Sequence, residues 1–406
     1  MLRSAPRASG VLVSLLLAAC EPAEPTRAAA RESPATASTA AHSAPAPPPA
    51  PDRRAACLAR NADAPARYLG LVRAFCADHH NLGGVGASLA VAEGGVLRFT
   101  ATAGQRCVDG PAVTADTGFR IGSITKVLTA AMTLHLVDAG RLELDAPLLA
   151  LLPELLDGAD PRHQALSLRQ LLGHTSGLAD PHPAELGVDW LPALLERPLL
   201  AEPGRERHYA SSGLALVGLA LERRTGTAYP ELLQLQLLAP LGRSRITADP
   251  ERALQRETAC GHLGRGPQGL ALDVGHDLEL GAAGARWTAP AGGVIAPAGE
   301  LVELTLGLVD PLRSPLSAAA ITTLTIPESP ANHALGLRSR ALPGGGFLLQ
   351  HAGNTGDFAA DLAFAPDRGF VAVILSNTGA HLQATLALAL ADLLGLPPAP
   401  GAQGTR

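Results

Sequence analysis

The sequence is almost without lysine. Of its 406 residues, 32 are Lys or Arg, and every one of these except Lys126 is arginine. An arginine keeps its proton in a protein, whereas a lysine ammonium can lose its proton when it is buried or crowded by other cations. The one lysine therefore stands where a removable proton would serve chemistry.

Aromatic residues and clustered positive charges are also scarce. Phe, Trp and Tyr together make up 3% of the chain, the formal net charge is -5, and no run of clustered basic residues occurs. Such a chain offers few platforms on which bases could stack and no basic stripe that would neutralise phosphates. These absences exclude nucleic acid as an expected partner.

Several catalytic and metal-binding patterns are missing from the sequence. It contains no Cys-x-x-Cys, Gly-x-Ser-x-Gly, Glu-x-x-His or His-x-His. The first absence argues against a zinc ribbon or a thioredoxin-like site, and the second against a Ser-His-Asp hydrolase of the nucleophile-elbow type. The last two argue against a metal enzyme. We therefore expect no metal and no cofactor.

The N-terminus has the features of a targeting segment. Arg3 and Arg7 precede a short apolar stretch, Val11–Leu17, which is too short to span a bilayer comfortably. The segment closes with Leu17-Ala18-Ala19-Cys20, which resembles a bacterial lipobox and predicts a lipoprotein signal peptide over residues 1–20 with lipidation of Cys20. An ordinary secretory signal with a chance cysteine is the alternative. The lipobox implies a membrane-anchored protein of the cell envelope, in the periplasm or on the outer surface.

The composition changes twice along the rest of the chain. Residues 21–56 are mostly Pro, Ala, Ser and Thr, and such a segment cannot bury enough apolar surface to offset the entropy of ordering it. We predict a disordered tether there, a folded domain over residues 57–398, and a short tail over 399–406.

The domain has strand-like segments at both ends and a Leu-rich middle. This arrangement predicts a mixed α/β (α+β) fold, with a sheet lobe from residues 57–145 and 286–398 and a helical lobe from 146–285. A cleft between two lobes is the natural place for a site. The predicted strand regions are a hairpin over 84–102 that turns at Glu93-Gly94-Gly95, then 334–339, 347–350, 358–364 and 370–375, before a last helix over 382–394.

Four cysteines follow Cys20. In an oxidising compartment they form up to two disulfides, with three possible connectivities. The pairing that we favour is Cys57 with Cys76 and Cys107 with Cys260, and free buried thiols are the alternative.

Ser123 lies three residues before the lysine. It stands at the start of a strongly apolar helix that reaches Ala139 and stops at Gly140. Positions i and i+3 share one face of a helix, so Ser123 and Lys126 are predicted neighbours. A hydroxyl nucleophile, a base for its proton and unpaired main-chain N–H groups at a helix start are the requirements of acyl transfer.

Longer motifs around this pair resemble the serine β-lactamase-related hydrolases. That family includes class C β-lactamases, D-alanyl-D-alanine carboxypeptidases, D-aminopeptidases and β-lactamase-like esterases. The resemblance covers about residues 82–377 and implies a β-lactamase/transpeptidase-like fold, in which helices flank an antiparallel sheet beside an all-helical lobe. The matching segments are Phe119-Arg120-Ile121-Gly122-Ser123-Ile124-Thr125-Lys126, Gly140-Arg141-Leu142-Glu143-Leu144-Asp145-Ala146-Pro147, Leu171-Leu172-Gly173-His174-Thr175-Ser176-Gly177-Leu178, Pro203-Gly204 with His208-Tyr209-Ala210-Ser211-Ser212-Gly213, Ala291-Gly292-Gly293, and His351-Ala352-Gly353.

The resemblance implies roles for individual residues. Ser123 would be the acylated nucleophile, and Lys126 and Tyr209 would share proton transfer, with either of them as the base. The main-chain amides of Ser123 and Asn354 would form the oxyanion hole. We interpret the segment 174–177 as a structural turn.

The substrate-binding segments depart from the family pattern at two positions. Ser211 stands where the family's Tyr-x-Asn motif has an amide, and His351, which with Gly353 belongs to the motif on the catalytic strand, stands where the family's lysine supplies a fixed cation. A histidine there would line the cleft without a permanent charge. Both departures favour a peptidase or esterase over an antibiotic-hydrolysing enzyme.

The sequence therefore predicts an envelope-anchored serine hydrolase that forms an acyl-enzyme on Ser123. Its substrates would be D-amino-acid peptides, amides or esters, including peptidoglycan fragments. A β-lactamase that hydrolyses β-lactam antibiotics is one alternative. A non-catalytic cell-wall-binding protein with the same fold is the other, because a fold alone does not fix a function.

Overall fold

A six-stranded antiparallel sheet, in the order β2-β1-β10-β9-β8-β7, organises the protein. The computed structural model describes residues 52–181, 190–263, 272–273, 285–327 and 333–396. Cys20, the predicted signal peptide, most of the tether and the tail lie outside the described residues. The strands are β1 (Gly86–Glu93), β2 (Val96–Gly104), β3 (Phe119–Arg120), β4 (His262–Leu263), β5 (Leu272–Asp273), β6 (Ile295–Ala296), β7 (Arg338–Ala341), β8 (Phe347–Asn354), β9 (Ala359–Ala365) and β10 (Phe370–Ser376).

Most of the helices come between β2 and β7. Within the described ranges they are α1 (Arg53–Arg60), α2 (Leu69–Asn81), α3 (Thr125–Asp138), α4 (Leu168–Leu172), α5 (Trp190–Leu195), α6 (Ser211–Thr225), α7 (Tyr229–Leu233), α8 (Pro250–Leu254), α9 (Ala285–Gly292), α10 (Ala298–Val309), α11 (Ala318–Thr325) and α12 (Gln383–Leu394). No helix in this part of the chain is both long enough and apolar enough to cross a membrane.

The sheet joins the two ends of the domain, as predicted. β1 pairs with β2 through a turn at Gly94 and Gly95, whose φ angles of +60° and +75° favour glycine. The other edge of β1 pairs with β10, which lies almost 300 residues later in the sequence. β1, β9 and β10 are buried along nearly their whole length, because helices cover both faces of the sheet.

The two faces of the sheet bury different clusters. Leu89 and Ile374 pack with Phe75 of α2 and Leu386 of α12. Residues that point to the opposite face of the same strands, such as Val373, belong to a second cluster with residues of α3 and α10. The second cluster is the larger one and carries α3, whose residues from Thr125 to Leu134 are all buried.

Helix α1 corrects the predicted boundary of the tether at residue 56. The helix begins at Arg53, where the side chain of Asp52 accepts hydrogen bonds from the amides of Arg54 and Ala55. A capped helix end of this kind stabilises the first turn. The disulfide from Cys57 to Cys76 then joins α1 to α2. It confirms the favoured pairing, as does the disulfide from Cys107 to Cys260.

Two other predicted boundaries also move. The strand predicted over 334–339 is wrong for most of its length, because β7 begins at Arg338, after a turn in which Gly336 has φ +75°. The strand predicted over 347–350 continues to Asn354, since β9 pairs with it along that extension. Helix α9 packs against α6.

Candidate active site

The candidate nucleophile lies on a tight turn between β3 and α3. β3 pairs with β6, and the chain then enters a 3₁₀ turn over Gly122–Ile124 that leads directly into α3. Gly122 has φ +49°, and a Cβ atom built on it would lie 2.9 Å from the main-chain nitrogen of Asn354. A glycine at this position therefore lets the turn that carries Ser123 approach β8 closely.

The two other predicted catalytic residues both contact the hydroxyl of Ser123. Lys126 Nζ donates a hydrogen bond to Ser123 Oγ at 2.8 Å, and the Tyr209 hydroxyl donates to the same oxygen at 2.7 Å. Lys126 lies one helical turn after Ser123, as the spacing predicts, whereas Tyr209 comes from the segment before α6. The structure thus brings Ser123, Lys126 and Tyr209 together.

Lys126 is buried, with 2% of its surface exposed. Its ammonium also donates to the main-chain carbonyl of Ala291 at 2.7 Å, and it makes no ion pair with any described residue. Burial lowers the pKa of Lys126 to about 7, and the nearby carboxylate of Asp180 opposes this effect by raising it. A large fraction of Lys126 is therefore uncharged at neutral pH and has a lone pair that can accept a proton.

Tyr209 has the opposite titration behaviour. Burial raises its pKa above the ordinary value, while hydrogen bonds with Ser123 and Ser211 act in the other direction. Its ring also lies 5.0 Å from Lys126 Nζ, measured to the ring centroid. Tyr209 consequently keeps its proton at neutral pH and acts as a donor toward Ser123.

His174 supports the ring of Tyr209. The two ring centroids are 4.4 Å apart at an interplanar angle of 32°. His174 is 1% exposed and has φ +58°, and its Nδ1 accepts a hydrogen bond from the amide of Ala210 at 3.2 Å. Burial and the positive charges nearby hold its pKa well below the ordinary value, so the ring is neutral. The turn at 174–177 therefore positions Tyr209 without itself reaching Ser123.

Asp180 fixes the helix that follows Tyr209. Its Oδ1 accepts hydrogen bonds from the amides of Ser211 and Ser212, at 2.7 and 3.1 Å. This N-terminal cap holds α6, and with it the position of Tyr209. Ser211, a predicted substrate-binding residue, thus lies beside the Tyr209 hydroxyl with its main chain anchored to Asp180.

β8 lies directly against the turn that carries the serine. A Cβ atom on Gly353 would overlap the carbonyl oxygen of Ile121 and lie 3.1 Å from the main-chain nitrogen of Ser123. The main-chain amides of Ser123 and Asn354, the predicted oxyanion donors, therefore belong to two segments in close contact. The side chain of Asn354 has a structural role, because it donates to the Gly379 carbonyl at 3.2 Å and accepts from the Gly356 amide at 2.7 Å.

His351 lies on β8 next to this contact. β7 pairs with β8 only as far as Gln350, so His351 to Asn354 extend beyond β7. Its Nδ1–H donates to the carbonyl of Ala352 at 2.8 Å. Burial lowers the pKa of His351 to about 4, and the positive charges of Lys126 and Arg207 contribute. His351 is therefore neutral at pH 7 and supplies no cation there.

Three groups of the site were not identified from the sequence. The carbonyl of Ala291 directly precedes a glycine pair, Asp180 follows the turn at 174–177, and Arg207 stands two residues before Tyr209. Ala291 belongs to a recognised motif, and Asp180 and Arg207 lie near one, but nothing in the sequence indicates the role of any of the three. Among the described residues, no group of three or more His, Cys, Asp or Glu side chains is arranged to hold a metal ion.

Comparisons with known proteins bear on this geometry. The model of the Beta-lactamase family matches residues 70–395. Penicillin-binding protein 4 of Amycolatopsis lactamdurans is 29% identical over 320 residues, which are 72% of this chain and 81% of that protein. Esterase EstB of Burkholderia gladioli is 34% identical over 163 residues, which are 34% of this chain and 41% of that protein. The solved structure of SurE with D-Leu is 25% identical, has a TM-score of 0.64, and is matched over 81% of this chain and 76% of that chain.

Proposed function

The chain belongs to the beta-lactamase family, a family of serine hydrolases, and we propose that it hydrolyses D-amino-acid peptides, amides or esters through an acyl-enzyme on Ser123. One observation carries the proposal: Ser123 Oγ accepts hydrogen bonds from both Lys126 and Tyr209, and burial makes that lysine able to lose its proton near neutral pH.

In the proposed acylation, Ser123 Oγ forms a bond to the substrate's carbonyl carbon as its proton passes to Lys126 Nζ. The carbonyl oxygen becomes negative, and the amides of Ser123 and Asn354 would donate to it. Collapse of this intermediate breaks the bond to the leaving nitrogen or oxygen, which receives a proton from the Lys126–Tyr209 pair. A water molecule then attacks the acyl-enzyme with the same groups acting in reverse, and it releases the acid and free Ser123.

The direction of the two pKa shifts supports Lys126 as the base. A base must be unprotonated at the working pH, and burial lowers the pKa of Lys126 while it raises that of Tyr209. Tyr209 keeps its hydrogen and would relay a proton to the leaving group. Because both groups contact the same oxygen, they titrate as a coupled pair.

The relatives and the site both support the proposed substrate class. A penicillin-binding protein and an esterase are among the similar proteins, and SurE has been solved with D-Leu. The neutral His351 and the hydroxyl of Ser211 remove a cation and an amide that, by resemblance to the family, a β-lactam would require. We therefore favour a peptidase or esterase over a β-lactamase.

The test is a panel of p-nitrophenyl esters, D-Ala-D-Ala peptides and a chromogenic cephalosporin, run on the wild type and on Ser123→Ala. We expect the wild type to turn over esters or D-Ala peptides and to be labelled by a fluorophosphonate. Both the turnover and the labelling should disappear in Ser123→Ala. Equal labelling of the wild type and the variant would refute the role of Ser123. Turnover of the cephalosporin alone would favour the β-lactamase instead.

We also propose that a lipid on Cys20 anchors the protein to the cell envelope, where peptidoglycan fragments are within reach of the site. The four-residue ending Leu17-Ala18-Ala19-Cys20 and the Pro- and Ala-rich residues after it support this. Cys20→Ala should move the protein from the membrane fraction to the soluble fraction and abolish incorporation of radiolabelled palmitate. A variant that still sediments with membranes and incorporates palmitate would contradict the anchor.

A further inference from the structure

Arg207 lies next to the candidate active site, and none of the described residues is its counter-ion. The Cζ atom of its guanidinium is 5.8 Å from the centroid of the Tyr209 ring. The side chain is half-buried, and its Nε is shielded from solvent and has no hydrogen-bond partner among the residues that the structure describes. Arg207 forms no ion pair and no side-chain hydrogen bond with any residue in the described part of the chain.

Burial is the largest influence on the pKa of Arg207 and lowers it; Tyr209 acts in the opposite direction, and the positive charge of Arg338, at the start of β7, lowers it further. The charge of Arg207 in turn lowers the pKa values of His174 and His351. Asp180, the carboxylate that acts on Lys126 and Tyr209, is not among the groups that act on Arg207. A guanidinium cannot escape such a site by losing its proton, so an anion bound beside it would offset part of its desolvation.

We propose that Arg207, with Arg338 beside it, binds a carboxylate of the substrate at the β8 side of the cleft. The planar guanidinium can donate two parallel hydrogen bonds to a carboxylate through its two terminal nitrogens. Because His351 is neutral, the positive charge near the serine would come from Arg207 and not from β8, while the amide that Ser211 replaces stays absent. This inference rests on the proposed function, and it narrows the substrates to those with a carboxylate next to the scissile bond, as in a peptide cleaved at its C-terminus.

The first experiment compares two esters of N-acetyl-D-alanine, one with a 3-carboxyphenyl and one with a 3-carbamoylphenyl leaving group. The readout is the ratio of their kcat/KM values, because a role of Arg207 in supporting the Tyr209 ring would lower both rates and leave the ratio unchanged. We expect the wild type to prefer the carboxylate by about tenfold or more, and Arg207→Gln to reduce the ratio to about one.

Arg205→Gln is the matched control, since Arg205 is exposed and lies in the same segment. It removes one positive charge and should preserve the ratio. A ratio that survives in Arg207→Gln, or falls equally in Arg205→Gln, overturns the inference. If the wild type hydrolyses neither ester in a Ser123-dependent way, the proposed function fails rather than the carboxylate site.

A binding measurement tests the inference without turnover. N-acetyl-D-alanyl-D-alanine and its C-terminal amide are titrated by calorimetry into the full-length Ser123→Ala protein. The acid should bind about tenfold more tightly than the amide, and the difference should vanish when Arg207→Gln is added. Equal binding of the acid and the amide to Ser123→Ala would overturn the proposal, whatever the enzyme hydrolyses.

Discussion

Lys126 Nζ donates a hydrogen bond of 2.7 Å to the carbonyl of Ala291, which lies 165 residues further along the chain. The bond holds the nitrogen within 2.8 Å of Ser123 Oγ. A carbonyl orients an amine without adding a negative charge, so the burial of Lys126 is offset only in part, by the more distant Asp180. This relationship gives a lysine that is fixed in place and able to lose its proton.

Lys126→Arg should lose acylation while the protein still folds. An arginine keeps the positive charge but cannot accept a proton at any working pH. We expect kcat/KM to fall about 10³-fold, with an unchanged circular dichroism spectrum. Labelling by a fluorophosphonate measures the loss directly, and Arg98→Lys, the reverse exchange in an exposed side chain, is the control. Normal labelling of Lys126→Arg would contradict the role of Lys126 as the base.

Tyr209→Phe should slow the reaction without removing its dependence on Lys126. The ring still packs on His174, but the hydroxyl that donates to Ser123 Oγ is lost. We expect kcat to fall about 10²-fold while the acid limb of the pH profile stays in place. If the acid limb near pH 7 disappears in this variant, Tyr209 rather than Lys126 is the base.

The activity of the wild type should rise with pH through about 7, the pKa to which burial lowers Lys126. Asp180 raises that pKa, so Asp180→Asn should lower it and move the acid limb of kcat/KM to lower pH. The amide oxygen of Asn can still accept from the amides of Ser211 and Ser212, which preserves the cap of α6. An acid limb that moves to higher pH would show that another ionisation controls the rate.

The same pKa shift makes stability depend on pH. Between about pH 7, where folded Lys126 titrates, and pH 10.5, the ordinary value, the unfolded chain binds a proton that the folded protein does not. The free energy of unfolding therefore rises with pH in that window, by about 1.4 kcal/mol per unit from this residue, and shows no such slope below pH 7. Urea denaturation of the wild type and of Lys126→Met isolates the contribution as a difference. Parallel curves for the two proteins above pH 7 would contradict the lowered pKa.

Gly353→Ala should separate β8 from the serine turn. The new Cβ atom would collide with the carbonyl of Ile121, so one of the two segments has to move. We expect a loss of about 10²-fold in kcat/KM and of about 1–3 kcal/mol in stability. Gly70→Ala in α2, where a Cβ atom meets nothing within 4 Å, is the control and should stabilise the protein by about 0.5–1 kcal/mol. Full activity of Gly353→Ala would show that this close approach is not needed.

Local patterns in the sequence predicted much of the fold. The turn at Gly94-Gly95, the helix that stops at Gly140, and the pairing of the two ends of the domain all agree with the structure. The errors fall where tertiary contacts extend or shift an element: β8 runs on to Asn354 because β9 continues to pair with it, and α1 begins early because Asp52 caps it. The intrinsic strand or helix propensity of a residue does not show how far a neighbouring strand continues to pair or which side chain caps a helix.

What the sequence determined by itself is local chemistry. Lys126 lies three positions after Ser123, and helical geometry places residues at this spacing on one face, so their contact follows from the spacing. Tertiary structure alone decided that the hydroxyl of Tyr209 reaches Ser123, that Ala291 holds Lys126, that His351 is neutral and that Arg207 has no counter-ion among the described residues. Each of these depends on burial and on the approach of distant segments. The energy of a charged group depends on how much water the fold removes from it and on which other charges the fold places beside it.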